Sequence, residues 1–232
     1  MKNPVLAWDE EYSRQGIPSS HRNSPSGVLN WALVNLPYIS ARNIGSAVDL
    51  GCGTGRNAIA LADSGIDEVW AMDFSAAALE VAESRSGADR VNFTLGSVVD
   101  PLPFVENSFD LATDVFVYFH QLSDGERRFY RSEMHRILKP GGVLLVSLAT
   151  AGDKYYGQCG TGPLGNVVAS PRLTWDPIAE VGNILPTYEE FLAEFNDLFD
   201  FQMSWVKRKQ GVMHGSEYMR ETVATLWRAK KI

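Results

Sequence analysis

The sequence predicts an α/β protein built on a doubly wound, mostly parallel sheet. Short apolar runs alternate with segments of helical spacing from Ala47 onwards, and a glycine-rich turn joins the first run to the helix that follows it. The 232 residues, 45% hydrophobic and 21% charged, supply one sizeable core. Because each crossover helix covers one face of a parallel sheet, helices are expected on both faces, with ligands at the carboxyl ends of the strands.

Five strands are predicted from apolar runs, and they occupy Ala47–Leu50, Val69–Met72, Val91–Leu95, Phe109–Val117 and Val143–Leu148. Four helices lie around or between these runs. The apolar spacing predicts helices over 28–36 and 54–62, and Ser75 is a candidate N-cap for a third. Ser123 and Glu126 form a capping box for the fourth, which Lys139–Gly142 is expected to end.

The remainder of the chain predicts additions at both ends of this core. Residues 1–40 are interpreted as a helical extension or lid, and 41–232 as the ligand-binding domain. The long Gly- and Pro-rich stretch 150–186 exceeds an ordinary connection, which favours a lid or a binding loop. Thr187 and Glu190 form another capping box, and two β-like runs, Phe199–Lys207 and Glu217–Ala229, close the chain.

Charge and composition exclude several classes of protein. The formal charge of −7 and the single short run Lys207–Lys209, interpreted as a solvated strand edge, argue against a nucleic-acid partner. Residues 1–11 lack the apolar stretch of a leader and no run approaches about 20 apolar residues, so a cytoplasmic protein without a membrane segment is expected. Cys52 and Cys159 lack ligand spacing, so both are expected to be free thiols and no metal site is predicted.

The segment Val48–Gly55 carries the most specific signal. Glycines on alternate positions, Gly51, Gly53 and Gly55, allow a tight turn and close approach of a ligand to the backbone at a helix N-terminus. The spacing G-x-G-x-G differs from the dinucleotide fingerprint G-x-G-x-x-G. Asp49, just upstream, would repel a pyrophosphate but attract a ligand that carries an ammonium and a sulfonium.

A second acid points to a nucleoside. Asp73 ends the second predicted strand, where a carboxylate can accept hydrogen bonds from both ribose hydroxyls. The alternative is an exposed acid at a strand end. Its place beside the glycine loop favours the ribose.

Together these motifs resemble those of the class I S-adenosylmethionine-dependent methyltransferases over about residues 47–148. Val48–Gly55 resembles the first motif of that family and Ala71–Ser75 its second-strand acid. The segments 101–104 and 108–110 resemble the entry to its fourth strand, and Leu138–Gly142 its Leu-Lys-Pro-Gly-Gly turn. The resemblance implies a seven-stranded sheet whose last strand is antiparallel, with S-adenosylmethionine as the cofactor.

The resemblance also implies roles for individual residues. Asp49, Cys52 and the three glycines would hold the methionine part of the donor, Asp73 the ribose and Phe74 one face of the adenine. Ser97 and Val98 would meet the adenine edge, although Ser97 stands where the family commonly has Asp. Asp114 would contact the methionine moiety.

Candidate residues for the acceptor are less specific. His120 follows the fourth strand, and its ordinary pKa suits a general base, but a structural or helix-capping role is open and methyl transfer can proceed by positioning alone. Polar-tipped aromatic and basic side chains near the site could contact a small acceptor or pack on the surface; they are Trp8, Tyr12, Arg14, Tyr155, Tyr156, His214 and Tyr218.

The sequence thus predicts methyl transfer from S-adenosylmethionine to the O or N atom of a small molecule. The chain lacks the Asn/Asp-Pro-Pro-Tyr/Phe run of amide and adenine methylation and the Pro-Cys nucleophile of pyrimidine methylation. Alternatives are a protein or RNA acceptor, a non-catalytic donor-binding subunit, and a nicotinamide-dependent oxidoreductase. Oligomeric state has no sequence signal.

Overall fold

The computed structural model describes residues 4–14, 23–40, 43–165, 170–177, 179–213 and 216–231. The strands within these ranges are β1 Ser46–Leu50, β2 Glu68–Asp73, β3 Asn92–Leu95, β4 Phe109–Val115, β5 Leu138–Ala149, β6 Leu173–Asp176, β7 Val181–Ile184, β8 Phe199–Met213 and β9 Ser216–Ala229. The α-helices within them are α1 Pro4–Arg14, α2 Gly27–Ile39, α3 Arg56–Asp63, α4 Ala76–Glu83, α5 Asp124–Ile137 and α6 Tyr188–Phe195.

Seven of these strands form one sheet in the order β3-β2-β1-β4-β5-β9-β8. The first five are parallel, and β9 runs antiparallel to both β5 and β8. The predicted doubly wound α/β fold with an antiparallel last strand is therefore confirmed. The order reverses beside β1, so the carboxyl ends of β1 and β4 form the crevice in which ligands bind such sheets.

The core has a layer on each face of the sheet. One layer packs α5 and α6 against the sheet through large buried side chains, among them Tyr130, Phe191, Phe195 and Trp227. The other packs α2 and α3 through Leu29, Leu36 and Leu61. Val34 on the same helix is 69% exposed, because the apolar residues of α2 exceed one face.

Local signals place most helix ends correctly. Ser75 caps α4, and both predicted capping boxes form, Ser123 with Glu126 and Thr187 with Glu190. Helix α5 ends at Ile137, earlier than predicted, and 138–142 belong to β5. The reason is local, since Pro140 disfavours the helical conformation at the residue before it.

Two predictions about connecting segments need correction. The fourth strand stops at Val115 rather than Val117, because Phe116 has a left-handed φ of +69° and turns the chain. The stretch 150–186, expected to be a loop, contains the antiparallel hairpin β6–β7, which forms a small sheet of its own. Each of its strands has only four residues, and these include both polar and apolar side chains. A search window long enough to detect a helix therefore does not detect them.

Candidate donor and acceptor sites

The glycine loop between β1 and α3 folds back onto β2. The N–H groups of Gly51 and Cys52 both donate to the Met72 carbonyl, at 2.7 and 2.9 Å. Gly51, Gly53 and Gly55 all have left-handed φ values, from +53° to +77°. A Cβ at Gly51 would overlap the side chain of Val117. The loop therefore tolerates only glycine at this position, for both backbone and packing reasons.

Asp49 lies in the floor of the crevice, 2% exposed. Its Oδ1 accepts a hydrogen bond of 2.6 Å from the Thr113 hydroxyl on the paired position of β4. Its Oδ2 is buried and lacks a hydrogen-bond partner among the described residues. Burial raises the pKa of Asp49 from 3.8 to about 7, opposed by the Thr113 hydrogen bond, by the charge of Arg56 and by the nearby Ala58 N–H.

Asp73 ties the loop to the end of β2. Its Oδ2 accepts from the Gly53 N–H at 2.7 Å and its Oδ1 from the Ser75 N–H at 2.9 Å. Burial raises the pKa of Asp73, although these hydrogen bonds act in the opposite direction. Each oxygen keeps a further lone pair, so the carboxylate can still accept from a ligand.

Asp114 is fully buried at the end of β4. Its Oδ1 accepts from the N–H groups of Val117 and Tyr118, both at 3.2 Å, and so fixes the turn that follows the strand. Its Oδ2 makes no hydrogen bond of ordinary geometry among the described residues, and burial raises its pKa to about 7, opposed by the Tyr118 N–H and by the nearby Tyr130 hydroxyl. The structure thus gives Asp114 a local role in addition to the predicted contact with the donor.

The remaining predicted donor residues border the same crevice. Cys52 is a buried free thiol whose Sγ lies 3.6 Å from the Gly53 carbonyl oxygen, and burial raises its pKa. Phe74 follows β2 and is half-buried. After β3, the Ser97 hydroxyl accepts from the Val99 N–H at 3.4 Å, whereas the side chain of Val98 is buried in the core.

Helix α1 covers this crevice. The Ser75 hydroxyl donates to Asp9 at 2.5 Å, and the Tyr12 hydroxyl lies 2.7 Å from where a Cβ on Gly53 would stand. Burial, with the charge of Asp73 next, raises the pKa of Tyr12. Trp8 stacks edge-on against His120, with ring centroids 5.3 Å apart.

His120 faces the hairpin β6–β7. Its Nδ1 donates to the Gly182 carbonyl at 3.2 Å, since a carbonyl can only accept, and this leaves Nε2 as the basic nitrogen of the neutral ring. Burial lowers the pKa of His120 to about 4, although the Gly182 carbonyl and the charge of Asp176 oppose that shift.

A network of polar and aromatic groups follows β5. The Asp153 carboxylate is fully buried and accepts from the N–H groups of Tyr155 and Tyr156 and, at 2.7 Å, from Arg220 Nε. The Arg220 guanidinium lies over the ring of Tyr156, 5.3 Å from its centroid. Tyr218 contacts the ring of Tyr155 at 5.2 Å. These contacts bring Tyr155, Tyr156 and Tyr218 into one cluster.

Two predicted acceptor residues cannot be placed. The side chain of Arg14 and the whole of His214 lie outside the described residues. The structure also reveals polar residues that the sequence analysis missed. Asp176 accepts from the Tyr155 hydroxyl at 3.0 Å, and Thr174 and Asn183 stand beside it on the hairpin. Their only sequence signal is the alternation of polar and apolar residues in two short runs.

Within the described ranges, no cluster of three or more His, Cys, Asp or Glu side chains could hold a metal ion. Nor does this part of the chain contain a helix long and apolar enough to cross a membrane.

Known proteins match the segment of the chain that contains the glycine loop and the predicted donor residues. Residues 47–142 match the family model described as a methyltransferase domain. A demethylmenaquinone methyltransferase from Clavibacter sepedonicus is 42% identical over 100 residues, which are 43% of this chain and 39% of that protein. An O-methyltransferase, rstn1, from Aspergillus nomiae is 32% identical over 104 residues, 43% of this chain and 44% of that protein.

The fold extends well beyond the matched segment. A crystal structure of a protein from Methanosarcina mazei, described as a SAM-dependent methyltransferase, superposes with a TM-score of 0.69 at 20% identity. It covers 85% of this chain and 97% of that one. By contrast, the chain spans about two fifths of the length of the two curated relatives above.

Proposed function

We propose that this chain, whose residues 47–142 form a methyltransferase domain of the class I, S-adenosylmethionine-dependent kind, transfers a methyl group from S-adenosylmethionine to a small-molecule acceptor. One observation carries the proposal. The buried Asp49 Oδ2, which makes no hydrogen bond with the described part of the chain, lies behind a loop of left-handed glycines in this domain. A carboxylate in that position suits a cationic ligand held against the backbone.

The residues of the crevice fit the donor. Asp49 would bind the ammonium of its methionine part, beside the loop that Gly51 and Gly53 form. Asp73 has lone pairs left for the ribose hydroxyls. Phe74 and the 97–98 turn border the space for the adenine, where the Ser97 side chain is already used locally and the Val98 backbone is the better contact.

When bound, S-adenosylmethionine supplies an activated methyl group that needs an in-line nucleophile. Asp49 and Asp73 orient the donor, whereas Trp8 and Tyr12 on α1 exclude water from the crevice. His120 is neutral at pH 7 and can accept a proton through Nε2, but burial makes it a weaker base than the ordinary histidine expected from the sequence. We assign residues 1–40 to a lid and 41–232 to the transferase domain, with 150–186 forming the acceptor side.

A small-molecule acceptor has support from the relatives named above and from the charge. Demethylmenaquinone methyltransferases are named for a small acceptor. The net charge of −7 is unfavourable for an RNA partner. An enclosed cluster of aromatic and polar groups around His120 suits a compact acceptor better than a protein surface.

Calorimetric titration with S-adenosylhomocysteine tests the donor site. We expect the wild type to bind it, and Asp73→Ala to weaken binding about hundredfold, because two hydrogen bonds to a charged acceptor, ~1.5 kcal/mol each, are lost. Asp67→Ala, an exposed acid before β2, is the control and should bind as the wild type does. Binding of NADH instead of S-adenosylhomocysteine would contradict the proposal.

His120→Ala tests the base. We expect kcat to fall about 10²-fold with unchanged affinity for S-adenosylhomocysteine, since general acid–base catalysis contributes about 10²- to 10⁴-fold and a base of lowered pKa belongs at the low end of that range. Because the pKa of His120 is about 4, its neutral form predominates above pH 5, and kcat should show no inflection from this group between pH 5.5 and 8. His135→Ala, on the far side of α5, is the control. Unchanged turnover in His120→Ala would leave His120 as a support for the Gly182 carbonyl.

A further inference from the structure

The hairpin β6–β7 has one apolar and one polar face. Leu173, Trp175 and Ile184 lie on the apolar face and pack against Leu122 and Leu164. The opposite face carries the cross-strand pairs Thr174 with Asn183 and Asp176 with Val181. Paired residues of an antiparallel ladder share a face, so Thr174, Asp176 and Asn183 form one polar surface.

This polar surface is buried but not satisfied. Asn183 is fully buried, and both its Oδ1 and its Nδ2 lack a hydrogen-bond partner among the described residues. Thr174, opposite it, is 8% exposed, and its hydroxyl also makes no hydrogen bond within the described ranges. Leaving such groups unpaired costs about 1–3 kcal/mol each, so native proteins keep them where a ligand or water completes the bonding.

The surface adjoins the proposed reaction centre. Gly182, next to Asn183, holds His120 through its carbonyl, and Asp176 accepts the hydrogen bond of Tyr155. Trp8 and Ala7 of α1 pack against Val181 on the same face. Asp176 is already engaged by Tyr155 and by the Ala179 N–H, whereas Asn183 and Thr174 have no side-chain hydrogen bond to any part of the chain that the structure describes.

We propose that Asn183 and Thr174 are the acceptor-recognition residues, and that they bind a planar ring carrying an N–H or O–H beside a C=O. This inference rests on the proposed function and names the acceptor side of that site. A carboxamide presents an acceptor and a donor side by side, which matches a donor and an acceptor on adjacent ring positions. The Thr174 hydroxyl can donate to the second lone pair of the same carbonyl.

The surroundings favour a neutral, flat ligand. The ring of Trp8 lies beside His120, and the ring of Tyr155 is held by Asp176, so aromatic side chains flank the polar surface. The Asp176 carboxylate and the net charge of −7 disfavour an anionic acceptor such as a carboxylate. A polar edge on an aromatic body is the ligand that satisfies both features.

The test uses quinolin-2(1H)-one, which carries an N–H beside a C=O, with two matched probes that lack one group each, 1-methylquinolin-2-one and indole. Each is titrated calorimetrically into the full-length protein, with and without S-adenosylhomocysteine. We expect the wild type to bind quinolin-2(1H)-one at least tenfold more tightly than either matched probe. Asn183→Leu, close in shape but apolar, should bind all three alike.

Stability distinguishes recognition from a structural role. Because Asn183→Leu removes two unpaired polar atoms, its Tm should equal or exceed that of the wild type while the discrimination is lost. Thr174→Val is a second variant in case the first fails to fold. It should weaken the preference for quinolin-2(1H)-one in the same direction but by a smaller amount, about three- to tenfold. Asn35→Leu, on α2, repeats the chemical change away from the site and should leave probe binding unchanged.

Three results would overturn the inference. The first is that the wild type binds all three probes equally, and the second is that it binds none of them. The third is that Asn183→Leu discriminates among the probes as the wild type does, which would mean that Asn183 and Thr174 bind ordered water only. Failure of the proposed function has a different signature, because it appears as loss of S-adenosylhomocysteine binding in the wild type, whereas probe binding without that ligand tests the acceptor surface alone.

Discussion

Asp49→Asn is expected to stabilise the folded protein at pH 8 and to weaken donor binding at the same time. The substitution keeps the shape of the side chain, and the amide oxygen can still accept from the Thr113 hydroxyl. What it removes is a buried negative charge with an unpartnered oxygen. Under the proposed function, Asp49 is a group that lowers the stability of the folded protein and is retained because it binds the donor.

The size and pH dependence follow from proton linkage. The folded-state pKa of Asp49 is raised from 3.8 to about 7, so the folded protein retains a proton that the unfolded chain releases between these values. The free energy of unfolding therefore falls as pH rises from about 4 to 7, and the loss is complete above 7. At ~1.4 kcal/mol per unit, Asp49→Asn should gain on the order of 4 kcal/mol at pH 8 and nothing at pH 4.

In the wild type, donor affinity should rise with pH, whereas the free energy of unfolding falls. A cationic ligand binds the ionised carboxylate, so below pH 7 it must displace a proton, and affinity for S-adenosylmethionine should fall by up to tenfold per pH unit. The variant should bind weakly and without this slope. Urea unfolding at pH 4 and 8 and calorimetry at pH 6, 7 and 8 measure both effects, with Asp67→Asn as the control. A destabilised variant at pH 8 would contradict this account of Asp49.

The fold was largely predictable because its signals are local. Alternating apolar runs and helical spacing identify the first five strands, and the capping residues Ser75, Ser123 and Thr187 identify helix starts. The hairpin β6–β7 was not predictable in this way. Each of its strands has four residues, and its buried face carries Thr174, Asp176 and Asn183, which a sequence pattern would place in solvent.

The donor half of the candidate site was easier to predict from the sequence than the acceptor half, for the same reason. The donor residues fall within one contiguous motif and at the ends of neighbouring strands, where the topology of a parallel sheet brings them together. The acceptor residues come from α1, the turn after β4 and the hairpin, so their proximity depends on long-range packing. Asp114 shows a further limit, since its bonds to the Val117 and Tyr118 N–H groups are visible only in three dimensions.

Gly51→Ala is expected to abolish donor binding. It should also lower the free energy of unfolding by more than the strain of a left-handed backbone conformation alone explains. Gly51 and Gly65 have φ values of +67° and +90°, so alanine at either position incurs ~1–2 kcal/mol of backbone strain. Nothing lies within 4 Å of a Cβ on Gly65, whereas a Cβ on Gly51 overlaps Val117. Gly51→Ala must therefore displace the turn that Asp114 holds, at a further cost of ~1–3 kcal/mol.

The pair separates the two causes, because Gly65→Ala carries the strain without the overlap. Chemical unfolding should show both variants destabilised, Gly51→Ala by the larger amount, and calorimetry should show S-adenosylhomocysteine binding retained in Gly65→Ala and lost in Gly51→Ala. Gly51→Ala, Val117→Ala should recover part of the stability, since the overlapping side chain is shortened. Equal losses in the two single variants would mean that Val117 yields freely, and that the glycine is required for its backbone conformation alone.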